Sequence, residues 1–133
     1  MSNRVVGFEI HASDCAKIAE FYRKVFGWRI HQYSAEPVEY WKVITAANCT
    51  CETGINGSIV KRFGTSPELD SAINSFVCTI TVESIDAVLY QILISGGSVA
   101  VEKRAIPNLA WVAYCRDPDG NVFGIYEPDP HAC

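Results

Sequence analysis

Apolar and polar positions alternate along this chain in two rhythms, and the order of the rhythms repeats. Residues 4–11 alternate with a period of two, as a strand does. Residues 14–26 then carry Ile18, Phe21, Tyr22, Val25 and Phe26 at the spacing of one helical face, with Lys17, Glu20, Arg23 and Lys24 on the other. Strand-like runs follow at 28–33, 40–45 and 54–60. The second half repeats the series: a strand at 75–82, a helix at 84–95, and strands at 98–103, 111–115 and 121–127. The chain therefore reads as one β-α-β-β-β unit written twice. Ser13 or Asp14 and Ser84 are placed to cap the two helices, with Gly27 and Gly96-Gly97 to end them.

The second helix sets Ile85, Val88, Leu89, Ile92 and Leu93 on an inner face and leaves Tyr90 and Ile94 outside. Strand parity sorts side chains between a helix-packed face and an open one. Val6, Phe8 and Ile10 alternate with Gly7, Glu9 and His11. Phe76, Cys78, Ile80 and Val82 alternate with Val77, Thr79 and Thr81. Phe123 and Ile125 alternate with Val122, Gly124 and Tyr126. The second member of each set is expected on an open, concave surface. Residues 61–74, with Gly64, Ser66 and Pro67, read as a linker. The division is one domain over 1–133, with module one at about 4–60 and module two at about 75–127.

A chain of 133 residues suffices for one hydrophobic core. A net charge of −4 and few basic clusters argue against nucleic acid as a partner. No apolar run is long enough to cross a bilayer. The N-terminus lacks the apolar stretch of a signal peptide, so a cytoplasmic protein is expected. Its six cysteines show no zinc-site spacing. Free thiols are the expectation in that compartment. Cys78 and Cys115 read as buried strand residues, and only Cys49 and Cys51 form a close pair with a redox or metal alternative. His31 reads as a surface strand residue and His131 as part of a disordered tail.

The stretches Gly7-Phe8-Glu9-Ile10, Phe21-Tyr22 and Val25-Phe26-Gly27-Trp28 resemble the opening of a vicinal oxygen chelate protein. That superfamily contains glyoxalase I, the bleomycin-resistance proteins and the extradiol dioxygenases. The likeness continues through Ile55-Asn56-Gly57 and Ala105-Ile106-Pro107, and ends at Asp117-Pro118-Asp119-Gly120-Asn121-Val122-Phe123-Gly124. It implies an α+β fold of two βαβββ modules, each a concave mixed-sheet half-barrel. In metal-dependent members His, Gln or Glu side chains hold a divalent ion that chelates vicinal substrate oxygens. Carried onto this sequence, those positions fall on Gly7, Val77 and Gly124, which bear no donor atom. The fourth lies within 56–58, where Asn56 alone could ligate. The expected site therefore holds no metal and no cofactor.

Glu9 and His11 share one strand face and form a candidate acid/base or ligand-binding pair; the alternative is a hydrogen-bonded polar residue beside an exposed strand end. Thr79 offers a hydroxyl, and Trp41, Phe63, Trp111, Tyr114 and Tyr126 offer rings to a small-molecule cavity. Core packing is the competing reading for each ring. No phosphate loop or nucleophile elbow is present. Two functions follow. The first is a metal-free protein that sequesters or carries a small, partly apolar or aromatic molecule, cationic ligands included. The second is a glyoxalase-like lyase, isomerase or dioxygenase with Glu9 as acid/base or with a rebuilt metal site. A homodimer is expected, since family members commonly pair.

Overall fold

The computed structural model describes residues 3–46, 54–69 and 76–133. Cys49 and Cys51 lie outside them. The described residues form ten elements in the anticipated order. The first set is β1 (Arg4–Ala12), α1 (Cys15–Phe26), β2 (Arg29–Ser34), β3 (Tyr40–Ile44) and β4 (Gly57–Lys61). The second is β5 (Val77–Thr81), α2 (Ile85–Ile94), β6 (Ser98–Ile106), β7 (Ala110–Arg116) and β8 (Val122–Pro128). By contacts the chain divides into Gly7–Phe76, the first module, and Val77–Cys133 joined by the chain's first residues up to Val6. Asn3 accordingly donates its N–H to the Thr81 carbonyl at 2.7 Å.

Within the first module the sheet runs β2-β3-β4-β1, and within the second β6-β7-β8-β5. In each, the first and last strands pair in parallel and the other pairs are antiparallel. A parallel pair needs a crossover, and the helix supplies part of it. Each module is thus the mixed-sheet half-barrel that the family resemblance implies. Asp14 caps α1 by accepting the Lys17 N–H at 3.1 Å, and Gly27 ends it at φ 72°. Ser84 caps α2 in the same way through Ala87.

The cores lie between helix and sheet. In the first module Ile10, Ala12, Cys15, Ala19, Ile30, Val43 and Ile59 are buried together. In the second, Val82, Ile85, Ala113, Cys115 and Ile125 are. The helix faces are narrower than the sequence pattern suggests. Phe21, Val25 and Phe26 are exposed on α1, while Ile18 and Tyr22 pack inward. On α2, Leu93 joins Tyr90 and Ile94 outside. A helix resting on a four-stranded sheet covers only the stripe that touches it, here centred on Cys15, Ala19 and Tyr22. Two further expectations are corrected. Cys78 is exposed. The C-terminal tail is docked: Asn108 donates to the Ala132 carbonyl at 2.9 Å, and His131 donates its backbone N–H to Asp129. No helix among the described residues is long and apolar enough to cross a membrane.

Candidate functional site

Register decides which side chains share a face. In the first module Ser58 pairs with Glu9 and with Lys42, and Lys42 pairs with His31. These four form one polar row across the sheet, opposite to the helix. Val60 pairs with His11 and with Tyr40, giving the next row. Glu9 is buried, with 6% of its surface exposed, and Ser58 with it. The His11 Nε2 lies 3.1 Å from Glu9 Oε1, which gives the buried carboxylate a polar partner and fixes the imidazole. Phe63 approaches the His11 ring edge-on at 6.4 Å between centroids. Lys42 sets its ammonium 4.7 Å from the Tyr33 ring centroid.

Glu9, His11 and Phe63 are therefore brought together. Trp41 is placed elsewhere. It pairs with Ile59, which pairs with Ile10, so it lies on the helix-facing side and packs on that core. Its indole N–H donates to Glu39 at 3.0 Å.

The second module repeats this arrangement. Thr79 pairs with Gly124, and Gly124 with Tyr114; Thr81 pairs with Tyr126. Thr79, Tyr114 and Tyr126 thus share the face away from α2. Trp111 packs with the helix-side core, donates to Asp129 at 2.9 Å and lies under Lys103 at 4.8 Å.

The family's metal positions can be tested on their surroundings. A Cβ at Gly7 would meet the Asn56 carbonyl oxygen at 3.1 Å, and one at Gly124 would meet the Tyr114 ring at 3.5 Å. A side chain at position 124 would thus start in ordinary contact with the Tyr114 ring. The Asn56 Oδ1 accepts from the Thr45 N–H at 2.9 Å, so it is already engaged. Among the described residues no group of three His, Cys, Asp or Glu side chains is arranged to hold an ion. The donor set does not fit the family's metal.

One cavity belongs wholly to the first module. Its volume is about 510 Å³, and it opens where β1 ends and α1 begins. His11, Ser13, Asp14, Lys17, Arg62 and Ser66 contribute its polar lining, and Phe21, Tyr22 and Phe76 its aromatic lining. The end of β4 ties the site down. Arg62 donates its backbone N–H to Ala12 and its Nη2 to the His11 carbonyl at 2.7 Å, and Lys61 donates to the Ser13 carbonyl at 2.6 Å. Arg62 escaped the sequence reading because it sits 51 residues from His11. Its only signal was a second cation beside Lys61, followed by Phe63.

The buried thiol at the start of α1 stays outside this chemistry. Burial, and then Glu39, push Cys15 up to about 11.

A family model for the Glyoxalase/Bleomycin resistance protein/Dioxygenase superfamily matches residues 4–125. Among curated proteins no sequence matches. Similar solved structures include methylmalonyl-CoA epimerase in complex with methylmalonyl-CoA and NH4+, with 17% identity, TM-score 0.63 and 99% of each chain covered. Methylmalonyl-CoA epimerase from Mycobacterium tuberculosis aligns with 14% identity and TM-score 0.61, over 94% of this chain and 87% of that one. A hypothetical protein from Bacillus halodurans aligns with 15% identity and TM-score 0.64, over 100% and 99%. At these identities the likeness to solved structures is one of fold.

Proposed function

Because this chain belongs to the Glyoxalase/Bleomycin resistance protein/Dioxygenase superfamily, we propose that it binds a small molecule, without a metal, in the first module beside Glu9 and His11. The observation that carries this reading is the cavity of about 510 Å³, which has His11 in its lining and aromatic side chains beside polar ones. A concave, partly apolar pocket with a few fixed polar groups is what small-molecule recognition requires. The replacement of donors by Gly7, Val77 and Gly124 supports binding without a metal. On the second module we propose Thr79, Tyr114 and Tyr126 as ligand contacts, because they share one sheet face.

The reading is tested by elemental analysis and by fluorescence. One tightly held divalent ion per chain, surviving mild chelation, would overturn binding without a metal. Trp28 is the natural reporter. Its ring stacks on Tyr22 at 5.2 Å between centroids, and Tyr22 lines the cavity. A planar aromatic ligand is expected to quench emission saturably, and Trp28→Phe should remove that response.

Catalysis is the second reading, favoured by one feature: a buried carboxylate 3.1 Å from an imidazole is an acid/base pair. Turnover lost in Glu9→Gln with ligand affinity kept would establish it.

A further inference from the structure

The cavity beside β1 and α1 has a charge pattern that selects its ligand. Lys17 and Arg62 both line it, and neither forms an ion pair with a carboxylate among the described residues, unlike Arg23 with Glu20 or Lys103 with Asp86. The Arg62 guanidinium is held in place by its bond to the His11 carbonyl, yet its Nε is buried with no acceptor among the described residues. A buried donor without a partner is costly, so the fold holds the Arg62 side chain beside this cavity at an energetic expense. Asp14 is the one acidic side chain in the lining, and it is engaged in capping α1. Two cations against one carboxylate, in a chain of net charge −4, is a local excess that composition does not explain.

The apolar part is equally organised. Lys17 and Phe21 lie four residues apart, so α1 presents a cation and a ring on one stripe. Phe21 meets Tyr22 edge-on at 5.1 Å, and Phe76 meets Tyr22 at 6.3 Å while stacking on Phe8 at 5.3 Å. Phe21 and Phe76 are about half exposed, at 52% and 45%. We infer that this cavity binds an organic oxyanion, a carboxylate or a phosphate on a planar apolar body. The anion meets Arg62 and Lys17, and the body meets Phe21, Tyr22 and Phe76. This rests on the small-molecule reading above and narrows it, since a cationic ligand would face two like charges.

The test titrates the full chain with four probes of one shape: phenylacetate, phenyl phosphate, 2-phenylethanol and benzylamine. Both anions are expected to bind about tenfold or more tighter than the alcohol, as charge-assisted bonds to Arg and Lys imply, and benzylamine more weakly than the alcohol. The tighter of the two anions identifies the headgroup. Lys17→Gln, at an exposed helix position, should remove several-fold of the anion affinity and leave the alcohol unchanged. Arg62→Gln should remove more; circular dichroism checks that it folds. Alcohol and anions binding equally, or anion affinity unchanged in a folded Lys17→Gln and Arg62→Gln pair, would overturn the anion assignment while leaving the small-molecule reading intact. No binding of any probe at millimolar concentration would overturn both.

Discussion

Glu9 shows how one residue can be both a structural commitment and a candidate for chemistry. Its carboxylate is withdrawn from water on a strand where the neighbouring apolar side chains face the helix, and His11 answers it across 3.1 Å. His11→Ala should therefore cost about 1–3 kcal/mol in urea unfolding, the range for a buried polar group that loses a partner. Glu9→Gln, which keeps an acceptor for the imidazole, should cost less. Equal stability of His11→Ala and wild type would show that His11 is not what compensates Glu9. The cysteines make a second residue-scale prediction. The thiolate is the nucleophile, so a thiol whose pKa is raised by burial reacts slowly. Cys15 and Cys115 are both held up in this way, first by burial and then by Glu39 and Glu102 respectively, whereas Cys78 and Cys133 are exposed. Peptide mapping after brief alkylation at mild alkaline pH should find Cys78 and Cys133 labelled well ahead of Cys15 and Cys115.

At the scale of elements, the parallel contact of β1 with β4 depends on Gly57. It sits opposite Phe8, and a Cβ there would fall 2.5 Å from the Phe8 carbonyl oxygen and 2.6 Å from its ring. Backbone cannot retreat as a flexible side chain can, so Gly57→Ala should destabilise by about 1–3 kcal/mol. A matching fall in the thermal midpoint checks it, and an unchanged midpoint would mean that β4 shifts freely along β1. The turn before β8 carries a pH signature. Asp117 accepts the N–H groups of Asp119 and Asn121 at 2.8 and 3.0 Å, and the Asn121 amide at 2.9 Å. These bonds, those from Asn121 foremost, hold its carboxyl below the ordinary 3.8. A depressed carboxylate stabilises the fold above its ordinary value, and that contribution is lost as pH falls through the folded value. Urea midpoints taken from pH 5 downward should fall less steeply in Asp117→Asn than in wild type. Parallel slopes would show that the turn does not hold the charge.

The whole molecule leaves apolar surface in the open. Tyr90, Leu93 and Ile94 on α2 are 62%, 54% and 60% exposed. Leu93 and Ile94 lie three and four residues after Tyr90, so both neighbour it on the helix surface, and Leu93 enlarges the patch beyond what the sequence pattern indicated. Two-fold pairing is the commonest way for such a surface to be covered. A homodimer is accordingly expected in light scattering at micromolar concentration, and Tyr90→Glu with Ile94→Lys should return it to the monomer. A wild-type mass near 14.7 kDa would refute the dimer.

The doubled β-α-β-β-β order, the Ser84 cap and the shared strand face of Glu9 and His11 were legible in the sequence, because each depends on spacing within a few residues. The first cap was legible only as a choice between Ser13 and Asp14. A period of two puts residues 9 and 11 on one face whatever the rest of the chain does. The buried stripe of α1 was not legible. Periodicity shows which positions are apolar, but the width of sheet beneath the helix decides that Tyr22 is covered and Phe21, Val25 and Phe26 are not. The side taken by Trp41 follows from its register against Ile59 and, through it, Ile10, a pairing of three strands distant in sequence. Arg62 reaches the site only because the parallel return of β4 carries it back beside His11. The cavity's charge is for the same reason a property of the tertiary structure alone: Lys17 and Arg62 are 45 residues apart in the chain, counting from 17 to 62, and only the crossover through α1 and β4 sets them around one space.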